Sequence, residues 1–337
     1  MQQITLSVDV GSGMVKGLSG DGRRIQFRSV LAPTREKGFD GVFSGEGPGY
    51  RAAIRFPGGE RSQWLVGERA LQSPLATMSL SYRKPQEIHD VLLLTAARLM
   101  VNCNEFGEII LAAGVPLAIY LKDRDNLKMR LQGLSAVVGV DDQEDRHIAF
   151  TRVEVYPQGA GVVLASMAAG NLPDGLTGVV DIGEYTTDML LIDVRGGRPI
   201  LLSEEYRTSL TSGVHLVTRS IMSEFSRLTG APLELAESAT VAWKALAGQV
   251  IVYNGRGYDL GEAAGRAVRE AGVLISRGIA NTWGSKVGFL ENVLLAGGGA
   301  FIFEKVLAGT LPNLKVVEDP VYSNAIGFLR AVGSLEK

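Results

Sequence analysis

The chain contains a single cysteine, which limits the covalent and metal chemistry open to it. Cys103 alone cannot form an intramolecular disulfide or supply a zinc or iron–sulfur centre that needs several cysteines. Because Cys103 lies in an apolar, helix-like stretch, we expect a buried and unreactive thiol. The three histidines, His89, His147 and His215, are far apart and have no metal-binding spacing. The sequence thus excludes a metal centre built from thiolates or clustered imidazoles.

The chain also lacks an excess of charge of one sign and a long hydrophobic run. Its formal net charge is −2, and no basic run or arginine stripe is present, so direct binding to nucleic acid is not expected. The longest apolar run, residues 109–121, is too short to span a bilayer and is broken by Gly114 and Pro116. No secretory signal precedes the first predicted strand. These absences predict a cytoplasmic protein without a membrane segment.

What the chain does have is length and an ordinary globular composition. Its 337 residues are enough for two domains, and 46% hydrophobic with 21% charged residues is typical of a packed core with a polar surface. A chain of this size buries about three quarters of its unfolded surface, so folding requires no disulfide or structural metal.

One sequence pattern occurs twice, about half a chain length apart. An apolar strand at 4–8 leads into an Asp-x-Gly bend at Asp9, and a second strand returns from Met14. The same order of strand, Asp-x-Gly bend and returning strand begins again at Asp181. Both copies have the turn residues of a hairpin rather than of a strand-to-helix entry. The repeat predicts a duplicated domain.

Apolar periodicity predicts the elements around the two hairpins. Residues 33–64, rich in glycine and arginine, are predicted to form an irregular or β-rich insertion at the surface. Pro85 suits the first turn of a helix, since its missing N–H is not required there. Buried strands are expected at 108–114 and 293–295. Helices are predicted after Pro85 and over 123–131, 162–169, 215–228, 261–282 and 324–332.

The first bend has the composition of a phosphate-binding loop. Gly11, Ser12 and Gly13 allow anionic oxygens to approach the backbone N–H groups, and Ser12 adds a hydroxyl donor. Lys16, on the returning strand, is a cation that can reach the phosphates. Each hydrogen bond to a charged oxygen contributes about 1.5–3 kcal/mol.

Asp9 and Asp181 are candidate ligands of Mg²⁺. Two carboxylates acting mostly through water satisfy the preference of this ion for oxygen. A single aspartate at such a position often does no more than cap its own turn. The occurrence of two, on equivalent hairpins, favours the metal-binding interpretation.

A third glycine-rich segment, Gly297 to Gly299, follows a predicted buried strand and precedes a helix. It is either a flexible connection or a place where the backbone approaches the α-phosphate and sugar of a nucleotide beside a helix N-terminus. The P-loop pattern is absent, and Lys16 occupies the position of the third glycine in the dinucleotide-binding fingerprint. These two classes of nucleotide-binding protein are therefore excluded.

Taken in order, these segments resemble the superfamily of actins, heat-shock ATPases and sugar kinases. Residues 8–16 resemble its first phosphate motif, 180–188 its second and 295–300 its adenosine motif. Residues 156–161 and 323–327 resemble its two connecting segments.

This resemblance implies an α/β fold of the actin-like (ribonuclease H-like) kind, duplicated into two α/β domains that flank a nucleotide cleft. Domain I would comprise residues 1–158 and 321–337, with 33–64 as its surface insertion. Domain II would comprise residues 159–320.

Within the superfamily, the sequence is most similar to plasmid-segregating bacterial actins of the ParM/StbA type, in particular over 113–117, 212–218 and 255–260. That resemblance implies an ATPase that assembles into homopolymeric filaments and disassembles after hydrolysis. It also implies plasmid DNA as cargo, reached through a DNA-binding adaptor protein.

The resemblance assigns roles to individual residues. Gln158 would orient the attacking water, as an amide does in actin, whereas ParM-type proteins often have a carboxylate there. Asp181 would act with it in catalysis, and Asp9 and Asp181 would hold the Mg²⁺ of ATP or ADP. The implied nucleotide-binding residues are Gly11, Ser12, Gly13, Lys16, Gly183, Glu184, Thr186, Gly297, Gly298 and Gly299.

Glu184 and Tyr185 depart from the pattern, because many relatives have small residues or glycine at these positions. Either the Tyr185 side chain points away from the phosphates, or the second anion loop is remodelled. Glu184 would then be placed to contact the ribose.

Other functions stay open on the sequence alone. A small-molecule kinase of the sugar or acetate type would need a carboxylate aimed at a substrate hydroxyl, and no clear candidate is found. A nucleotide-dependent scaffold would bind ATP and scarcely hydrolyse it, with Gln158 an ordinary loop residue. A cell-shape actin of the MreB type is less expected, because no amphipathic helix precedes the first strand.

Overall fold

The computed structural model describes residues 3–34, 48–78, 85–101, 107–232 and 235–334, so Cys103 lies outside the described residues. The chain forms two compact units. The first unit continues past Gln158, where its first segment was expected to end, and includes the helix that follows this residue. The units are Met1–Ala168 with Tyr322–Lys337, and Ala169–Val321.

The first unit contains a five-stranded sheet made of β1 (Ile4–Val10), β2 (Met14–Ser19), β3 (Arg24–Arg28), β8 (Ile109–Val115) and β11 (Arg152–Pro157). Its strand order is β11-β8-β1-β2-β3. The first three strands form an antiparallel meander, and β8 and β11 continue the sheet in parallel. Such a mixture of parallel and antiparallel pairs is common in α/β folds.

A second sheet of the first unit has the order β10-β9-β5-β6-β4-β7. Its strands are β4 (Val30–Pro33), β5 (Tyr50–Arg55), β6 (Arg61–Val66), β7 (Thr77–Met78), β9 (Ser135–Val140) and β10 (Arg146–Ala149).

This second sheet differs from the surface insertion expected at 33–64. Over the described part of that range, β5 and β6 are internal strands, and Ala52 and Ile54 are fully buried. Glycine and arginine suggested a surface segment, but in β5 the residues Arg51 and Arg55 lie on the face opposite Ala52 and Ile54, which pack inward.

The described part of the first unit also contains four α-helices: α1 (Gln86–Met100), α2 (Leu117–Gln132), α3 (Ala160–Ala168) and α8 (Ser323–Ser334). Helix α1 begins directly after Pro85, as predicted, and packs between the two sheets. Helix α2 begins six residues before the predicted start at 123, because Pro116 already provides a helix entry. Helix α8 packs on α3 and on β1 and β8.

The second unit contains one six-stranded sheet and a separate hairpin. The sheet has the order β14-β13-β12-β18-β19, and β15 pairs with β13. Its strands are β12 (Gly175–Ile182), β13 (Thr187–Arg195), β14 (Arg198–Leu201), β15 (Thr208–Leu210), β18 (Asn292–Ala296) and β19 (Leu314–Val316). The hairpin consists of β16 (Ile251–Tyr253) and β17 (Arg256–Tyr258).

The helices of the second unit are α4 (Val214–Thr229), α5 (Leu235–Leu246), α6 (Gly261–Trp283) and α7 (Ala300–Leu307). Helix α6 provides one face of the core, where Ile275, Ile279 and Trp283 are fully buried. Trp283 lies against Gly178 of β12, where a Cβ atom would come within 2.7 Å of the indole ring. No helix in the described ranges has the length and apolarity needed to cross a bilayer.

The two main sheets have the same topology. Each contains three consecutive antiparallel strands followed by two parallel additions, β3-β2-β1-β8-β11 in the first unit and β14-β13-β12-β18-β19 in the second. The Asp-x-Gly bend joins the equivalent strands in both, β1 to β2 and β12 to β13. The duplicated α/β fold predicted from the repeat is therefore confirmed.

Candidate functional site

The first bend connects β1 to β2 through Gly11, Ser12 and Gly13. It is tight, because a Cβ atom on Gly11 would come within 2.7 Å of the Met14 carbonyl oxygen. Glycine at residue 11 therefore permits this close approach, because a Cβ atom there would force the backbone to shift.

Asp9 lies at the end of β1, 3% exposed, and is paired in register with Lys16 of β2. The Lys16 Nζ lies 3.8 Å from the Asp9 Oδ2, and both side chains are largely buried. A lysine beside a buried carboxylate offsets part of the cost of desolvating it. The predicted cation and the predicted metal ligand of the first bend are thus direct neighbours.

Gln158 reaches the same place from the end of β11. Its Nε2 donates a hydrogen bond to the Asp9 Oδ1 at 2.8 Å, although the two residues are 149 positions apart in the chain. Because Nε2 is the donor, the amide oxygen Oε1 remains as the acceptor of the Gln158 side chain. The structure therefore brings together Asp9, Lys16 and Gln158.

The turn after Gln158 is held by the C-terminal helix. Gly159 has a φ of +83°, and its N–H donates to the Asn324 Oδ1 of α8 at 3.0 Å. The Gln158 N–H donates to the Val115 carbonyl at 2.8 Å. Two backbone hydrogen bonds on consecutive residues thus fix the position from which the Gln158 side chain projects.

The second bend connects β12 to β13 and is closed by a hydrogen bond from the Gly183 N–H to the Thr186 carbonyl at 2.8 Å. That N–H is therefore engaged within the bend. Asp181, 6% exposed, lies opposite Asp188 on the neighbouring strand. Asp188 accepts hydrogen bonds from the hydroxyls of Ser209 and Thr186, the latter at 3.5 Å.

The N-terminus of α4 anchors the second bend. This contact was not predicted from the sequence. The Val214 N–H donates to the Gly183 carbonyl at 3.1 Å. The Glu184 carbonyl accepts two hydrogen bonds from His215, one from its backbone N–H and one from its Nδ1, each at 2.9 Å. Gly213 permits this approach, because a Cβ atom there would lie 2.6 Å from both carbonyl oxygens.

The Tyr185 ring packs on the His215 ring, with centroids 4.8 Å apart and an interplanar angle of 30°. Burial lowers the pKa of His215, with Arg219 acting in the same direction and the hydrogen bond to Glu184 opposing it. Burial, followed by the charge of Glu184, raises the pKa of the Tyr185 hydroxyl. Tyr185 is thus accommodated by an aromatic partner on α4.

The triple-glycine segment follows β18 and lies against the end of β12. Gly297 has a φ of +82°, and a Cβ atom there would lie 2.4 Å from the Asp181 Oδ1. The Gly297 N–H donates a hydrogen bond to the Pro320 carbonyl, and the Gly299 N–H donates one to the Ile182 carbonyl, each at 2.9 Å. Asp181 and the triple-glycine segment are therefore direct neighbours in the second unit.

Gly298 differs from its two neighbours. It is exposed, a Cβ atom there would meet nothing within 4 Å, and its N–H has no hydrogen bond to any residue in the described ranges. Gly297 and Gly299 thus hold the segment in place, and Gly298 presents its backbone to solvent.

No group of three or more His, Cys, Asp or Glu side chains in the described part of the chain is arranged to hold a metal ion. The two predicted metal ligands, Asp9 and Asp181, belong to different units.

The fold and these two bends define an actin-like protein. Residues 7–161 match the family described as the N-terminal domain of actin-like proteins, and residues 179–309 match the family described as the C-terminal part of archaeal, MreB-like actin homologues. The chain belongs to the actin-like family.

Known relatives are similar over nearly their whole length. An archaeal actin homologue of Thermoplasma acidophilum is 24% identical over 96% of this chain and 97% of its own. A ParM filament from Clostridium botulinum with 15 strands has a TM-score of 0.88 at 22% identity, over 99% of this chain and 100% of that one. An archaeal actin homologue in complex with ADP has a TM-score of 0.80 at 21% identity, over 98% and 99% of the two chains.

Proposed function

We propose that this protein binds and hydrolyses Mg-ATP and assembles with copies of itself into filaments. The observation that carries the proposal is the repeated aspartate-bearing bend, with Gln158 hydrogen-bonded to Asp9 at one copy and the triple-glycine segment against Asp181 at the other. The ADP complex of a similar archaeal actin homologue supports a nucleotide as the ligand.

The phosphates would contact the first bend and the residues around it. Gly11, Ser12 and Gly13 would supply backbone and hydroxyl donors, and Lys16 would supply positive charge. In the second unit, Gly183 and Thr186 would border the phosphates, and Glu184 would contact the ribose. Since the N–H of Gly183 is used within its own bend, its contribution would be the space left by its missing side chain.

The donor set at both bends suits Mg²⁺. Asp9 and Asp181 are buried carboxylates, and Asp181 faces Asp188 across the β12–β13 pair. A divalent cation near Asp181 would find carboxylate oxygen there, the kind of ligand that Mg²⁺ prefers. When bound, Mg²⁺ would neutralise charge on the phosphates, and Asp9 and Asp181 would hold it directly or through water.

Gln158 would position the attacking water. Its Nε2 is held by Asp9, which leaves Oε1 to accept a hydrogen bond from water. An amide does not act as a general base at neutral pH, so its contribution would be orientation, as for the glutamine of GTPases. Hydrolysis would therefore be slow in the monomer and would accelerate when assembly improves this alignment.

The adenosine would be bound by the triple-glycine segment. Gly297 and Gly299 hold the segment against β12, and the exposed Gly298 would approach the α-phosphate and sugar. The N-terminus of α7, directly after this segment, favours negative charge there.

Self-assembly is supported by the similarity to a ParM filament, whose fold this chain shares over nearly its whole length. Loss of the γ-phosphate after hydrolysis would remove charge-assisted hydrogen bonds and weaken the assembled state. The equilibrium constant for assembly would fall about tenfold for each 1.4 kcal/mol of interaction free energy lost. We further propose plasmid DNA as the cargo, with a DNA-binding adaptor protein as the partner.

The test is light scattering recorded together with phosphate release after ATP and Mg²⁺ are added. A rise in scattering that decays as phosphate accumulates would support a dynamic filament. Scattering without phosphate release would identify a scaffold that does not hydrolyse ATP. A flat trace, with ATP consumed only when a sugar or acetate is present, would replace the proposal with a small-molecule kinase.

A further inference from the structure

The structure assigns Ser29 a role as a positioning residue for the first phosphate-binding bend. This inference rests on the proposed nucleotide function. Ser29 is the residue between β3 and β4, where the chain passes from the first sheet to the second, and it is fully buried.

Ser29 makes two hydrogen bonds to the bend, one to the glycine on each side of Ser12. Its hydroxyl donates to the Gly11 carbonyl, and its backbone N–H donates to the Gly13 carbonyl at 3.0 Å. Ser29 is therefore a single buried residue that is hydrogen-bonded to both ends of the three-residue bend.

The bond to Gly11 fixes the direction of the next N–H. In a planar trans peptide, the carbonyl of one residue and the N–H of the following residue point in opposite directions. With the Gly11 carbonyl directed at Ser29, the Ser12 N–H is directed to the opposite side of the bend. This is the side on which an anion would be bound by backbone N–H groups.

The neighbours of Ser29 make it a rigid support. Phe27 and Val30 are each 1% exposed, and they belong to strands of two different sheets. Fixed donors bind a charged oxygen better than mobile ones, because no ordering cost is incurred on binding. The Ser29 hydroxyl thus contributes to phosphate affinity without contacting phosphate.

The chain offers a matched control in Ser7. This serine is also fully buried, on β1, but within the described ranges its hydroxyl has no hydrogen-bond partner. Ser7→Ala removes the same atom from an equally buried place without releasing the bend.

The experiment is calorimetric titration of Mg-ATP into the wild type, Ser29→Ala, Ser29→Thr and Ser7→Ala. Ser29→Ala should weaken ATP binding about tenfold, while Ser29→Thr, which keeps the hydroxyl, and Ser7→Ala should stay within about twofold of the wild type. Thermal unfolding without nucleotide checks that each variant is folded. If Ser29→Ala does not fold, Ser29→Cys takes its place, because a thiol is a weak donor of similar size.

Ser29→Ala with wild-type affinity, or Ser29→Thr as weak as Ser29→Ala, would overturn the positioning role. Absence of ATP binding by the wild type would instead overturn the proposed function, so the two failures are distinguishable.

Discussion

At the scale of single residues, the candidate site depends on side chains that meet from distant parts of the chain, as Gln158 does with Asp9. The Asp-x-Gly bends indicated Asp9 and Asp181, since aspartate and glycine together suit an anion- and metal-binding turn. The hydrogen bond between Gln158 and Asp9 was not predictable, because it joins the ends of β1 and β11. Ser29 was missed for the same reason: a lone serine between two strands has no sequence pattern.

Gln158→Ala should slow phosphate release on the order of a hundredfold, since the attacking water would lose its orienting group. ATP binding and the ATP-driven rise in scattering should be unchanged, because the substitution leaves the phosphate-binding residues in place, whereas the later decay of scattering should be delayed. The measurement is single-turnover phosphate release. Gln143→Ala, at an exposed glutamine between β9 and β10, is the matched control. Normal hydrolysis by Gln158→Ala would refute the role of this side chain.

Gly297→Ala should destabilise the protein, whereas Gly298→Ala should not. Residue 297 has a φ of +82°, which costs a non-glycine residue about 1–3 kcal/mol, and its Cβ would also lie 2.3 Å from the Ile182 carbonyl oxygen. At residue 298 the added methyl meets nothing. Thermal unfolding compares the two variants directly. Equal unfolding midpoints would show that the triple-glycine segment is not held as described.

At the scale of elements, strands and helices with clear periodicity were predicted well. Helix α6 occupies 261–283 against a prediction of 261–282, and β8 is shifted by one residue from its prediction. The β-rich alternative for 33–64 agrees with β5 and β6, but their place inside a sheet was not predicted, because glycine and arginine suggested a surface segment. Burial of β5 depends on β9, about 85 residues later, and such distant pairing leaves no local signal.

The junction between the second bend and α4 should give the stability of the protein a pH dependence. Burial lowers the pKa of His215 below its ordinary value of 6.5, so the folded state favours the neutral imidazole. The resulting contribution to stability is complete above pH 6.5 and is lost as pH falls through the lowered pKa of the folded state. The unfolding midpoint of the wild type should therefore decrease on acidification from about pH 7.

His215→Asn should reduce that pH dependence, because asparagine keeps a donor near the Nδ1 position but does not titrate in this range. His215→Ala should reduce it too and should also lower stability at pH 7, since the Glu184 carbonyl loses one donor. Unfolding midpoints measured from pH 5 to 8 test both variants. The same slope in His215→Asn as in the wild type would exclude His215 as its source.

At the scale of the whole molecule, the duplication was the most informative feature of the sequence. Two Asp-x-Gly bends, each between an apolar strand and a returning strand, predicted a duplicated α/β fold, and the equal topology of the two main sheets confirms it. The extent of the first unit was harder to predict from the sequence. Helix α3 belongs to it because Gly161 packs against Asn324 of α8, and neither residue indicates the other in sequence.

The proposed function requires that residues of both units act on a single Mg-ATP, and calorimetric titration of ATP with and without Mg²⁺ tests this most directly. The wild type should bind one ATP per chain, more tightly with Mg²⁺. Asp9→Asn and Asp181→Asn should each diminish that difference, while Asp142→Asn, at an exposed carboxylate, should not. Two ATP molecules per chain, or an unchanged effect of Mg²⁺ in either aspartate variant, would contradict the claim.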